Sequence, residues 1–197
     1  MFAYIKGIIT AKEATNIILE ANGIGYYIKI SLHTHSLLKA VGEEMLLHTY
    51  LQIQENAHNL FGFAEISEKK LFLELISVSG IGANTALVML SSANPSEIQQ
   101  AIIQEDIKLL QAIKGIGAKT AQRVVLELKD KMKKDALISP LGNKSQVPTY
   151  RAVREEAITA LMVLGLAKNV AEKNIDAIIK LKPEVSVEEA IKMALKM

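Results

Sequence analysis

Two short phrases hold the residues best placed to do chemistry in this chain: Gly80-Ile81-Gly82-Ala83-Asn84-Thr85-Ala86 and Gly115-Ile116-Gly117-Ala118-Lys119-Thr120-Ala121. Six of the seven positions are identical, and the copies begin at residues 80 and 115, 35 apart. Glycine takes a positive φ without a Cβ clash and lets another molecule's backbone come close. An apolar residue pinned between two glycines, Ile81 or Ile116, anchors the turn in a core while the flanking amides point outward. If a helix starts there, its unpaired N–H groups and positive dipole end favour an anion. Thr85 and Thr120 would fall in the first turn and add a hydroxyl, and Ala86 and Ala121 are small where two helices of a tight hairpin cross. Such contacts hold phosphates and carry no base information, so the expected binding is independent of nucleotide sequence.

The flanking residues fit that geometry. Each phrase follows an apolar, helix-like run, 71–78 and 107–113, and precedes another, 86–90 and 124–128. A lone Gly-x-Gly between helices is also simply a tight turn, and a helical period of about 34 residues is known from solenoids. Two near-identical turns without a third copy favour a paired helix-hairpin-helix element over either. The second phrase looks like a shrunken P-loop, but that motif needs G-x-x-x-x-G-K-[ST] after a strand, and neither phrase completes G-x-G-x-x-G.

Charge supports the same reading through its distribution. The chain carries 23 Lys and Arg against 21 Asp and Glu, a net +2. From Lys108 to Lys134 there are eight basic residues against Glu127 and Asp130, a local +6, whereas residues 65–107 hold two lysines against six acids, a local −4. The basic run overlaps the second phrase, so that turn is expected to bind phosphate more strongly than the first.

The elements that must position these turns are readable in outline. Residues 1–63 read as five short strands with one interposed helix. Segments 17–21 and 24–30 flank Asn22-Gly23, a hairpin signal. Segments 45–53 and 59–63 form a second hairpin with 54–58 at its tip, and 33–40 is the short helix. This pattern suggests a small barrel of the OB type, a frequent oligonucleotide binder. Residues 64–135 read as helical, with Ser67 an N-cap, Asn94-Pro95-Ser96-Glu97 a capping box and Asp106 a cap. Residues 136–150, with Ser139-Pro140, Gly142-Asn143 and Val147-Pro148, read as a mobile linker. Residues 151–197 then form a small domain of three helices, 151–164, 168–181 and 187–197, with Ser186 and Glu189 as a capping box. The fold class is thus α+β and multi-domain, and the last piece, thin-cored and tethered, suits docking.

At 197 residues, half of them apolar, the chain has material for real cores. It has no cysteine, so disulfides and thiolate zinc sites are excluded. Its longest apolar stretch, 157–167, is too short for a bilayer, and its first residues are no secretory signal, so a cytoplasmic protein is expected. His33, His35, His48 and His58 have no acids at ligand-like spacing, so neither a metal site nor a cofactor is expected. No catalytic residue is expected either.

Taken together, the strand-rich start, tandem GIG turns, loop and small helical end resemble the RuvA family of Holliday-junction branch-migration subunits. Tyr4-Ile5-Lys6-Gly7-Ile8-Ile9, Gly23-Ile24-Gly25-Tyr26 and Asn59-Leu60-Phe61-Gly62-Phe63 carry the likeness in the N-terminal part. The resemblance implies a flat homotetramer that holds a four-way DNA junction open, with no activity of its own. It also implies a partner ATPase, hexameric and of the RuvB type, and a RuvC-type resolvase. The phosphate contacts it implies are Gly80, Ile81, Gly82, Thr85, Gly115, Ile116, Gly117, Ala118, Lys119, Thr120 and Arg123. It puts ATPase contacts on Leu164, Leu166 and Ile191, which are equally good core residues.

The family also carries an acidic pin on a barrel hairpin, two adjacent acids that here become Glu55 and Asn56. Four protomers would then present four charges there instead of eight, leaving a pin that works mainly by bulk. Asn84 and Ala118 stand where basic residues are common, which weakens the electrostatic footprint and flattens the expected salt dependence. Two other readings stay open. One is a monomeric duplex-binding repair module with no junction preference. The other is a nuclease or glycosylase, against which the missing carboxylate cluster counts. An RNA-binding role would call for more positive charge.

Overall fold

A computed structural model describes residues 2–138, 150–182 and 184–196, in two compact units that divide at residues 140 and 141. The first unit opens with five strands: β1 (Tyr4–Lys12), β2 (Asn16–Ala21), β3 (Ile24–Ile30), β4 (Glu44–Gln54) and β5 (Ala57–Phe63), with helix α1 (Leu32–Leu37) between β3 and β4. They close into a barrel in the order β1-β2-β3-β5-β4. All neighbours are antiparallel except β3 and β5, which run parallel through Lys29 opposite Phe61 and Ile30 opposite Gly62. Strand periodicity sets the interior: Ile5 and Ile9 of β1, Ile17 and Leu19 of β2, Ile28 and Ile30 of β3, and Leu47 of β4 are all buried.

Local turn chemistry fixes the hairpins. Asn22 and Gly23 take φ of 53° and 79°, the left-handed pair of a type I′ turn, as the Asn-Gly signal predicts. The β4–β5 hairpin is tighter than expected. Its strands run in register to Gln54 opposite Ala57, so the tip shrinks from five residues to Glu55 and Asn56. Extending the ladder satisfies backbone groups that a longer loop would leave to water.

The helical part holds α2 (Ile66–Ser77), α3 (Ala83–Ser92), α4 (Pro95–Ile103), α5 (Ile107–Ala112) and α6 (Ala118–Ile138). Asn94 and Glu97 form the full capping box at α4, and the Asp106 carboxylate accepts the Leu109 amide at 3.1 Å. Ser67 is not a cap. The helix starts two residues earlier than that cap implies, with Glu65 in the extended N-cap position and the Lys69 amide already bonded to the Glu65 carbonyl at 3.2 Å. Ser67 instead donates its hydroxyl to the Glu65 carboxylate at 3.4 Å. Helix α1 likewise differs, spanning 32–37 because Ser31, an unanticipated cap, accepts the Thr34 amide.

One continuous core runs from Phe61 and Phe63 of β5 through Phe72 of α2 to Leu128 and Met132 of α6. Phe72 lies 4.9 Å from Phe63, 5.4 Å from Phe61 and 5.5 Å from Tyr50, centroid to centroid. Such ring pairs add about 0.5–1.5 kcal/mol each beyond area burial. Barrel and hairpin helices are therefore packed on one another through aromatic side chains.

The second unit contains α7 (Tyr150–Val163), α8 (Lys168–Leu181) and α9 (Val187–Ala194) around Leu161, Ile175, Ile178 and Ile179. Helix α6 runs on into the segment expected to be linker, and the rest of that segment, 139–149, lies outside the described residues. Ser186 caps α9 by accepting the Glu189 amide at 3.3 Å, and the Glu189 side chain, expected to bond back to the cap, pairs with Lys182 instead. Arg154 of α7 grips Asp176 of α8 with two N–H···O bonds of 2.5 and 2.8 Å.

The Arg154 guanidinium holds the Asp176 carboxyl below its ordinary value of 3.8. A carboxyl depressed in the folded state stabilises above its unfolded value, and that contribution fades as pH falls through the lower folded value. The full chain should therefore be more stable than Asp176→Asn by about 0.5–1 kcal/mol at neutral pH. Amide exchange in α7 and α8 should show that gap closing as pH drops below 3.8; a gap constant with pH would contradict the pairing.

Candidate nucleic-acid interface

Helices α2 and α3 flank the first GIG turn, and α5 and α6 flank the second. The two turns share one internal wiring. In the first, amides of Val78, Ile81 and Ala86 bond to carbonyls of Leu75, Val78 and Gly82 at 3.1, 3.1 and 2.9 Å. In the second, Ile113, Ile116 and Ala121 bond to Leu110, Ile113 and Gly117 at 3.3, 3.1 and 2.9 Å. Every pair is offset by 35 residues. Ile81 and Ile116 are buried at 5% exposure each, so both anchor their turns as expected. Gly80 and Gly115 take φ of +96° and +91°, where an L side chain is strained.

The second glycine of each turn has a different explanation. Gly82 is the α3 N-cap at φ −87°, a region open to any residue. A Cβ built at Gly82 or Gly117 meets nothing within 4 Å. Neither the backbone angle at Gly82 nor the space at either position requires glycine for folding. What these glycines leave is a bare, exposed approach to a helix N-terminus. No side chain caps α3, and its first bond is made by Ala86, so the amides of Ala83, Asn84 and Thr85 have no acceptor among the described residues. In the second turn Ala118, Lys119 and Thr120 are in the same state. Ala118 and Lys119 are exposed, and Thr85 and Thr120 half-buried.

The charge pattern is rearranged by folding. Lys129 bonds Glu105, Lys131 bonds Glu74 at 3.1 Å, and Arg123 lies 3.9 Å from Glu127. Acids of the first segment thus neutralise bases of the second, and the local +6 and −4 partly cancel. A sequence count misses this because the pairs join residues 24 and 57 apart. Lys108, Lys114 and Lys119 are exposed and, among the described residues, lack an acidic partner. Two of them flank the second turn, and the first turn has no lysine. Arg123 reaches the first turn: its Nη1 donates to the Ser79 carbonyl at 3.0 Å, so a cation from α6 sits beside a turn that has none of its own.

The remaining candidates fall elsewhere. Glu55 and Asn56 are exposed at the barrel tip, beside Ile53, which is 68% exposed. In the second unit, α7 ends in a Schellman motif on Gly165, φ +98°, with the Gly165 and Leu166 amides bonded to Met162 and Leu161 carbonyls at 3.1 and 3.0 Å. That reversal drives Leu166 onto the core and leaves Leu164 59% exposed. Ile191 also packs against the core. Of the three apolar candidates only Leu164 is free, and Met162, Val163 and Val170, unremarked in the sequence, are exposed near it in the chain. The sequence signal is partial: Val163 falls outside the helical period of the buried Ala157, Ile158 and Leu161, whereas Met162, four residues after Ile158, falls on it.

Known proteins repeat this arrangement. Residues 1–62 match the RuvA N-terminal domain, 72–130 a SAM-like helix-hairpin-helix tandem, and 152–197 the RuvA C-terminal domain. The chain is 53% identical over 199 residues to the Holliday junction branch migration complex subunit RuvA of Cytophaga hutchinsonii, covering all of both chains. It is 48% identical to that of Christiangramia forsetii, over all of this chain and 99% of the relative. With the protein of Chlorobium phaeobacteroides it shares 37% identity over 99% of this chain and 97% of the relative. Matched from end to end by proteins of one kind, and built on the barrel, paired turns and three-helix unit just described, the chain belongs to the RuvA family.

Proposed function

We propose that this protein is the DNA-binding subunit of a branch-migration complex. It grips a four-way junction through phosphates, without reading sequence, and recruits an ATP-driven motor of the RuvB type. The observation that carries this reading is the pair of bare helix N-termini at Gly82 and Gly117, where the fold has no need of glycine. Three consecutive unpaired amides, a nearby hydroxyl and a helix dipole make each a seat for one phosphate oxygen. Charge plays a smaller part than in most DNA binders, because much of the basic run is paired internally. Four copies around a junction would bring eight turns onto its arms and four Glu55-Asn56 tips to the crossover. The exposed apolar residues around Leu164 are the surface for the ATPase, a RuvC-type resolvase would act on the held junction, and the chain itself is non-catalytic.

A competition gel shift at physiological salt, junction against linear duplex of the same sequence, tests the central claim alongside light scattering. A tetramer that strongly prefers the junction is expected; a monomer that binds both equally would leave a plain duplex-binding repair module. Gly82→Ala and Gly117→Ala should each weaken DNA binding about tenfold by losing charge-assisted bonds, with stability within about 0.5 kcal/mol of the parent. If both variants bind normally, the phosphate seats are elsewhere.

At the tip, Asn56→Asp should lower junction affinity at low salt and less so at high salt, since exposed charges are screened. Unchanged affinity and migration rate would mean that the amide is neutral there. On the second unit, Leu164→Ser should weaken binding of the ATPase about tenfold, as at an interface hot spot, without altering the melt. Leu166→Ser should instead cost about 1–2 kcal/mol of stability, a partial version of a core truncation. Calorimetry of both variants against the ATPase separates the roles, and the reverse pattern would exchange them.

A further inference from the structure

Glu68 of α2 is fully buried and, among the described residues, faces no Lys or Arg, which asks what it is for. Its two oxygens accept the hydroxyls of Ser31 and Thr34, the latter at 2.5 Å, and both of those residues are fully buried. Each hydroxyl also accepts a backbone amide: Ser31 that of Thr34 at 2.9 Å, Thr34 that of Ala64 at 3.0 Å. Every polar atom of the cage is thereby satisfied. Burial pushes the carboxyl above its ordinary value of 4.5, and the two hydroxyls and His33 pull it back while Glu65 pushes it further. A buried group of this kind is costly unless a precise arrangement repays it.

The arrangement it fixes is where α1 sits. Ser31 and Thr34 are the N-cap and first turn of α1, a barrel insertion, while Glu68 lies in the first turn of α2. On its other side α1 holds α3, through the Leu32 amide donated to Ser91 Oγ at 3.1 Å. Helices α2 and α3 are the two arms of the first turn. The second turn has no such tie to the barrel among the described residues. It joins the first through Arg123 to Ser79 and Lys131 to Glu74.

We infer that Glu68 is a positioning residue, which with Ser91 clamps both arms of the first phosphate-binding turn to α1 and so sets that turn's orientation relative to the barrel. The inference rests on the junction-binding reading for its purpose. A duplex asks only that one pair of turns engage, whereas a junction asks that turns and barrel tip hold a fixed relation. Losing the clamp therefore changes the preference between the two ligands.

The absence of native cysteine permits a direct test on the full chain without DNA. Spin labels on cysteines introduced at Glu20 in the barrel and Ser79 in the first turn report one distance, and labels at Ser79 and Lys114 report a second, between the two turns. Glu68→Leu should broaden the first distribution and spare the second, whereas Glu68→Gln, which keeps volume and an acceptor, should largely restore it. Should Glu68→Leu not fold, Thr34→Val removes one of the two donors and should act in the same direction. Unchanged distributions, or both broadening together, would overturn the clamp. In binding, the ratio of junction to duplex affinity should fall about tenfold for Glu68→Leu, on the scale of buried hydroxyls losing their acceptor. Simple misfolding lowers both affinities alike and leaves the ratio where it was. A parent chain with no junction preference would refute the proposed function, and the label distances would still decide the clamp.

Discussion

The contact on which the rest depends is the packing of Phe72 against Phe61 and Phe63. One aromatic side chain on α2 meets two on the last barrel strand, and Tyr50 closes the group from β4. Because these rings belong to the same core as Ile81 and Ile116, barrel and turns share one hydrophobic interior. A small barrel and a bundle of short helices would each be marginal alone, since small domains bury too little of their surface. Joined, they make a rigid base that holds two sets of three unpaired amides in place. The cage around Glu68 adds polar specificity to an attachment whose energy comes from apolar burial.

Much of this was legible in the sequence, where the determinants are local. The Asn22-Gly23 turn, the Asn94 capping box, the buried isoleucines and the glycines of both turns each follow from a few adjacent residues and their steric limits. Boundaries were less legible: Ser67 reads as a cap until the strand before it is seen to deliver the chain into a helix at once, and the β4–β5 tip looked longer because ladder length depends on the partner strand. The ion pairs and the Glu68 cage were hidden, since they join residues distant in sequence. The fate of Leu164 and Leu166 turned on one glycine at φ +98°, which sends neighbouring leucines to opposite environments.

These hidden contacts change the view of how an almost neutral chain holds a polyanion. Acids of the first turn's segment sit on lysines of the second's, so long-range attraction is muted. In the proposed reading, close-range donors fixed by helix starts carry the grip. Binding of that kind discriminates by shape, because an amide works only where the phosphate arrives at hydrogen-bonding distance. It also leaves the protein less prone to sticking along any duplex, which suits a scaffold meant to settle at a branch.

The duplicated turn has an evolutionary corollary. Each copy closes its own backbone bonds and buries its own isoleucine, so its fold asks nothing of the residue at the fifth position, Asn84 in one and Lys119 in the other. Charge there is free to drift in one copy while its twin preserves function. If the turns are the phosphate seats proposed, the molecule carries a built-in vernier: affinity for nucleic acid can be adjusted in half-steps, by single substitutions, with the scaffold untouched.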